Sequence, residues 1–546
     1  MTRQPIAAAF FTVLLAPAAV AQEDHSHHGA TELLGTVRFP VSCAEAVRPA
    51  FTRAVALLHS FGYEDARGAF TDVARQDPAC GMAQWGVAMT YYHPIWAPPS
   101  PTELAAGRAA SERASQIGAK TERERAYIAS IAAFYRDSDK VDHRTRALAY
   151  RAALEEMARR DPDDHEASIF YALALIATAP PSDPTFANQK KAAEILNGLL
   201  EKEPQHPGVA HYLIHAFDYP PLASLALPAA RAYAKIAPSS PHALHMPSHI
   251  FTRLGLWKES IESNLASADA ARRRMAQMHP GAASFDALHA LDYLEYAYLQ
   301  IGDEPHAKGV IEEAARTAQF DERNFAAGYA LAAIPARHAL EERRWTDAAK
   351  IEPPRVDLPW DNFRYAPAIS YFARAMGCAR SGQPEEARAA IARLAGLQQA
   401  LVQSPIAGPY DWAGHVESMH RAAASWLSYA EGRKDEALEL ARSAADLDDK
   451  TGKHPVTPGA VLPARELLAD MLRETGRPAD ALIEYEAALR SSPNRLNSLY
   501  GAARSAELSG NPGKARDYYA RLLANCENTA SDREEIRQAR VFTKAN

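Results

Sequence analysis

Three residue types near the C-terminus recur at one interval: Gly476 and Gly510, Ala481 and Ala515, and Tyr485 and Tyr519 are each 34 residues apart. A fixed period of this length signals one pair of helices used over and over. A single pair cannot bury its apolar face alone and must stack on neighbours. The residue types fit that use. The glycine ends the first helix, the alanine lets two helices approach closely, and Pro493 stops the second. Ala66, Phe70 and Pro78 repeat this punctuation in a unit from about 47 to 80. Pro204 and Pro238 are again 34 apart, and Gly255, Gly302 with Ala307, Gly382 with Ala387 and Gly432 with Ala437 continue the register. The expected fold class is all-α.

These small-residue and aromatic positions resemble the signature of tetratricopeptide repeats. The resemblance implies a right-handed superhelical solenoid of tetratricopeptide-type helix pairs, with places two, five, nine and twelve of each first helix looking into a concave groove. Leu58-His59-Ser60-Phe61, Met89 to Trp96, His211 to Ala216, His245 to Ile250, Leu291-Asp292-Tyr293 and Lys453 to Pro458 further resemble a group of exported bacterial tetratricopeptide proteins. That likeness spans nearly the whole mature chain and brings no established activity with it.

The organisation expected along the chain follows from composition shifts. Residues 1–21 read as an export signal, with Arg3, an apolar run from Ile6 to Val20, and Ala19-Val20-Ala21 before Gln22. Residues 22–40 form a flexible start, 41–350 an N-terminal repeat array, 351–367 a Pro-rich break, and 368–546 a C-terminal array. No later segment approaches 18 consecutive apolar residues, so no membrane span is expected after signal cleavage. The expected location is periplasmic or secreted. Of the four cysteines, Cys43 and Cys80 flank the first repeat, which leaves either a disulfide or two buried thiols. Cys378 and Cys526 read as core residues of separate repeats. A net charge of −7 without a basic cluster argues against nucleic acid as a partner.

Histidines follow the same period. His211 and His215 are matched 34 residues later by His245 and His249, and each pair is spaced i, i+4, so its imidazoles share a helix face. Six histidine pairs in the chain have this 34-residue separation, where random placement gives roughly 0.7. With repeats starting at 207, 241 and 288, His211 and His245 take place five and His215 and His249 place nine. His242 and His289 take place two, Asp292 place five, and Asp218 place twelve.

Imidazole is the commonest transition-metal ligand, and helices 8–10 Å apart can bring one side chain each to a shared ion. The expected site is His211, His215, His245 and His249, with Asp292 and His289 in support, holding a transition metal such as Cu, Zn or Fe. An enzyme built on it would use an open metal position with bound water or dioxygen. The competing reading is a metal-free scaffold whose groove docks a peptide or protein partner. For His59, His93, His415 and His454 a structural role is expected. Pro247, between His245 and His249, demands either a late helix start near Met246, which would carry His245 off the shared face, or a bend.

Overall fold

Glycine and proline punctuate the C-terminal repeats as their spacing implies. The helix Ala464–Glu474 is followed by Gly476 at φ +79°, and Pro478–Ser491 opens with proline in its first turn. Leu496–Leu508 then gives way to Gly510 at φ +76°, and Pro512–Asn525 again starts on proline. Behind each glycine the chain closes the helix in the same way. Arg477 N–H donates to the Leu472 carbonyl at 2.9 Å and Asn511 N–H to that of Ala506 at 2.8 Å. A left-handed residue is needed for this closure, and glycine adopts it without strain.

A second glycine device sets how repeats stack. A Cβ on Gly501 would lie 2.2 Å from Tyr485 Cζ, and one on Gly86 would lie 2.3 Å from Phe70 Cδ1. In both cases the buried aromatic ring of one pair fits the bare backbone of the next helix, 16 residues further on. Ala66, Ala481 and Ala515 are fully buried, as close helix approach requires.

The computed structural model describes Met1 and residues 32–95, 98–181, 183–317, 319–320, 323–406, 408 and 410–545. The export signal read at 1–21 and the first part of the expected flexible start fall outside the described residues, Met1 apart. Leu33–Asn546 is one compact unit of helices, each packed on its neighbours in sequence. Among the described residues the strand-like pairing is the single bridge Ala283–Phe320. The fold is an all-α array of helices packed in neighbouring pairs.

Two sequence boundaries shift. Residues 33–40, assigned to a flexible start, are packed: Leu34, Val37 and Phe39 are buried, and Thr36 N–H donates to the Gln205 carbonyl at 2.8 Å. The alternating apolar residues supply the reason, since together they fill a seam between repeats. The Pro-rich stretch 351–367 does not divide two cores. One apolar core runs from Tyr329 to Ala539 across it, and helices Phe325–Glu341 and Tyr365–Arg380, on either side, pack together. Proline there removes helical hydrogen bonds without removing apolar contact.

Cys43 and Cys80 are joined by a disulfide, with Cα atoms 4.9 Å apart. It ties the chain entering the first repeat to the start of helix Gly81–Met89. Cys378 and Cys526 are buried free thiols.

Candidate metal centre

Two successive first helices begin in the same way. His206 caps Pro207–Phe217 by accepting from the Gly208 N–H, and Ser240 caps Pro241–His245 by accepting from the Ala243 N–H. Each has proline in its first turn, so places five and nine fall on corresponding faces. Pro247 then interrupts the second helix, which resumes as Pro247–Leu254. Met246 between the two pieces keeps right-handed helical dihedrals, φ −53° and ψ −35°. The helix therefore starts early and breaks without changing direction much. His245 stays on the shared face, its Nε2 3.1 Å from that of His249.

The imidazoles gather as two trios. In the first, His211 Nε2 is 3.1 Å from His215 Nε2 and 3.1 Å from His242 Nε2. In the second, His245 and His249 are joined by His289, whose ring centroid is 4.2 Å from that of His245. The ligand atoms of each trio lie within 4.8 Å of one another. Two nitrogens bound at 2.0–2.1 Å to one tetrahedral ion are roughly 3.3 Å apart, so these spacings suit a shared cation. Each trio follows one rule: places five and nine of one first helix, and place two of the next.

Surrounding groups orient the rings. His211 Nδ1 donates to the His59 carbonyl at 2.7 Å, and His245 Nδ1 to Asn264 Oδ1 at 2.6 Å. The Asn264 amide is itself oriented by donating to the Ser260 carbonyl at 2.7 Å. His249 Nδ1 donates to Asp218 Oδ2 at 3.1 Å. In all three rings the proton is thereby placed on Nδ1, and the Nε2 lone pair faces the trio. Burial lowers the pKa of all six, His211 to about 3, so the rings are neutral near pH 7.

Burial alone would raise the Asp218 carboxyl, but Lys453, Arg253 and His249 hold it well below the usual carboxylate range. Lys453 Nζ donates to Asp218 Oδ2 at 3.1 Å and Arg253 Nε to Oδ1 at 2.8 Å. Tyr293 stacks on His249, ring centroids 5.0 Å apart, and donates to the Thr457 carbonyl at 3.0 Å. The segment carrying Lys453 and Thr457 thus closes over the second trio. Five of the six histidines are buried, and His215 is half-buried. Phe61 walls the first trio, its ring centroid 4.4 Å from His211 and 5.6 Å from both His215 and His242. Phe61 stands at φ +54°, a left-handed backbone that costs an aromatic residue about 1–3 kcal/mol and concentrates at functional sites.

Of the residues expected to share one ion, His211 and His215 fall in the first trio and His245, His249 and His289 in the second, so the four central histidines do not converge on a single point. Asp292 joins neither. Its Oδ1 accepts from buried Arg337 Nη1 at 2.6 Å, outside both trios. A repeat-equivalent third trio would need histidine at place nine, and Tyr296 stands there, so Asp292 is left to pair with the nearest cation. His242 is the trio member that the expected set lacks. The signal for it is its place two, shared with His289.

His59 sits in a third buried group, with Glu166 and His206, whose ligand atoms lie within 4.8 Å of one another. Its Nε2 is 2.9 Å from Glu166 and its Nδ1 2.9 Å from the Tyr212 hydroxyl, while His206 Nε2 meets the other Glu166 oxygen at 3.0 Å. This buried carboxylate–imidazole group fixes the backbone whose carbonyl holds His211. His454 lies against Trp412, centroids 5.2 Å apart, and with Lys453, Tyr410 and His415 it lines a cavity of about 490 Å³.

No family model and no curated protein matches the chain. Solved structures similar to it include the APC/C hetero-tetramer Cut9–Hcn1, at 12% identity over 92% of this chain and 95% of that one, with a TM-score of 0.31. Yeast Tom70 is similar at 10% identity over 92% and 95%, with a TM-score of 0.33. Human IFIT1, solved as a dimer with m7Gppp-AAAA, is similar at 12% identity over 81% and 90%, with a TM-score of 0.38. Likeness of this depth carries no information about chemistry.

Proposed function

We propose that this protein is an exported metal-binding protein that holds transition metal through His211, His215, His242, His245, His249 and His289. One observation carries the reading: Nε2 atoms meet at 3.1 Å while the Nδ1 atoms of His211, His245 and His249 are engaged elsewhere. His245 and His249 both donate from Nδ1, so their Nε2 lone pairs face each other at 3.1 Å and repel unless a cation lies between them. A buried cluster of neutral imidazoles with oriented outer partners is how proteins prepare a nitrogen site before the ion arrives.

Burial also separates this reading from a groove that docks a peptide. Rings covered by Tyr293, Phe61 and the segment around Lys453 offer little surface to a polypeptide. The Cys43–Cys80 disulfide favours an oxidising compartment, which supports export to a periplasm or beyond.

Elemental analysis of untagged protein tests the proposal. Stoichiometric transition metal is expected, lost in a folded His211→Ala, His249→Ala double variant. Metal-free protein that stays empty after incubation with copper, zinc and iron salts would sink it.

A further inference from the structure

The two trios are copies of one arrangement, and they abut. His215 and His249, on facing borders, have ring centroids 6.3 Å apart, and His242 and His245 are 6.4 Å apart. Within a trio the corresponding separations are 4.8 Å for His211–His215, 4.9 Å for His211–His242 and 5.0 Å for His245–His249. The step from one trio to the next is thus little longer than the step within one. Three imidazoles complete one ion apart from a single open position, and six cannot converge on one ion at these spacings. Neither trio contains a carboxylate or a thiolate.

We propose that the six histidines form a dinuclear copper centre, three imidazoles to each ion, whose open positions face each other and are bridged by dioxygen. The inference rests on the metal-binding reading and adds number, identity and ligand to it. Copper is the divalent first-row ion that nitrogen sites bind most tightly, and imidazole holds its reduced form as well. Two-metal sites place their ions roughly 3.5–4 Å apart, close enough for one small bridging ligand. Entry fits a small apolar molecule, since half-buried His215 lies beside Phe61. In the binding step each Cu(I) gives one electron to dioxygen. Two Cu(II) ions and one peroxide dianion result, with the O–O bond kept and no proton required.

The test begins with full-length protein loaded anaerobically with Cu(I) and dialysed. Two coppers per chain are expected, together with uptake of one dioxygen per chain on exposure to air. The oxidised product should be nearly silent in electron paramagnetic resonance, because bridged Cu(II) spins pair. His242→Ala and His289→Ala should each retain one copper with a full Cu(II) signal, with folding checked by circular dichroism.

One copper in the unaltered protein, two fully paramagnetic coppers, or no dioxygen uptake would each overturn the dinuclear centre and leave metal binding standing. No bound copper, zinc or iron at all would overturn the underlying reading as well. Where a variant fails to fold, the copper stoichiometry and spin count of the unaltered protein decide.

Discussion

His242 Nε2 lies 3.1 Å from His211 Nε2, although the two residues belong to different repeats. The first trio is therefore closed by the helix that follows it, and the second is closed in the same way by His289. Stacking of successive first helices, not the geometry of one helix, assembles the centre.

Replacing His242 and replacing Asp292 should have opposite consequences. On the metal-binding reading, His242→Ala removes a ligand and should lower metal content. Asp292→Ala should leave metal content unchanged and destabilise the fold by about 3 kcal/mol, because buried Arg337 loses its closest partner. Metal analysis paired with urea unfolding of both variants reads the difference. Loss of metal in folded Asp292→Ala would put that carboxylate back among the ligands.

On the metal-binding reading, Asp218 would act on the ion through His249. Asp218→Asn keeps an acceptor for His249 Nδ1 but removes the charge that polarises the ring and balances Lys453 and Arg253. Metal affinity should fall about 10- to 100-fold. Competition with a chromophoric chelator measures it, and an unchanged affinity would show that the carboxylate does no more than pair with its two cations.

Acid should destabilise the metal-free protein. Buried His211, His415 and His454 have folded pKa values near 3, 4 and 3, below the ordinary 6.5. Their contribution is complete above pH 6.5 and is lost as pH falls toward the folded values, since the unfolded chain takes up the protons first. Each such group is worth up to about 1.4 kcal/mol per pH unit. Glu295 and Asp448, raised to about 7 and 6, work in the opposite sense but are fewer. The melting temperature with chelator present should therefore drop from pH 7 to pH 5; a flat or rising profile would mean that the buried imidazoles do not govern acid stability.

Two glycine substitutions should separate packing from propensity. Gly501→Ala drives a methyl into the buried Tyr485 ring and should cost at least about 1–3 kcal/mol. Gly68→Ala, on the exposed face of helix Tyr63–Gln76 with nothing within 4 Å, should gain about 0.5–1 kcal/mol. Thermal melts of the two variants should move in opposite directions.

Much of this was legible in the linear chain. The 34-residue recurrence of Gly476, Ala481 and Tyr485 specifies helix pairs because glycine and proline act locally on the backbone. The i, i+4 spacing of His211 with His215 places both rings on one face for the same reason. Even the pairing of His242 with His289 was present, as a shared place two.

Tertiary structure decided which of these side chains meet. Asp292 has the register of a ligand, yet Arg337, 45 residues away, captures it. Lys453 reaches Asp218 from 235 residues away and closes the second trio, which no periodicity announces. Backbone conformation is chosen within a few residues and leaves its mark in local sequence. Partners across helices are chosen by crossing geometry and by the cost of leaving a buried charge unpaired.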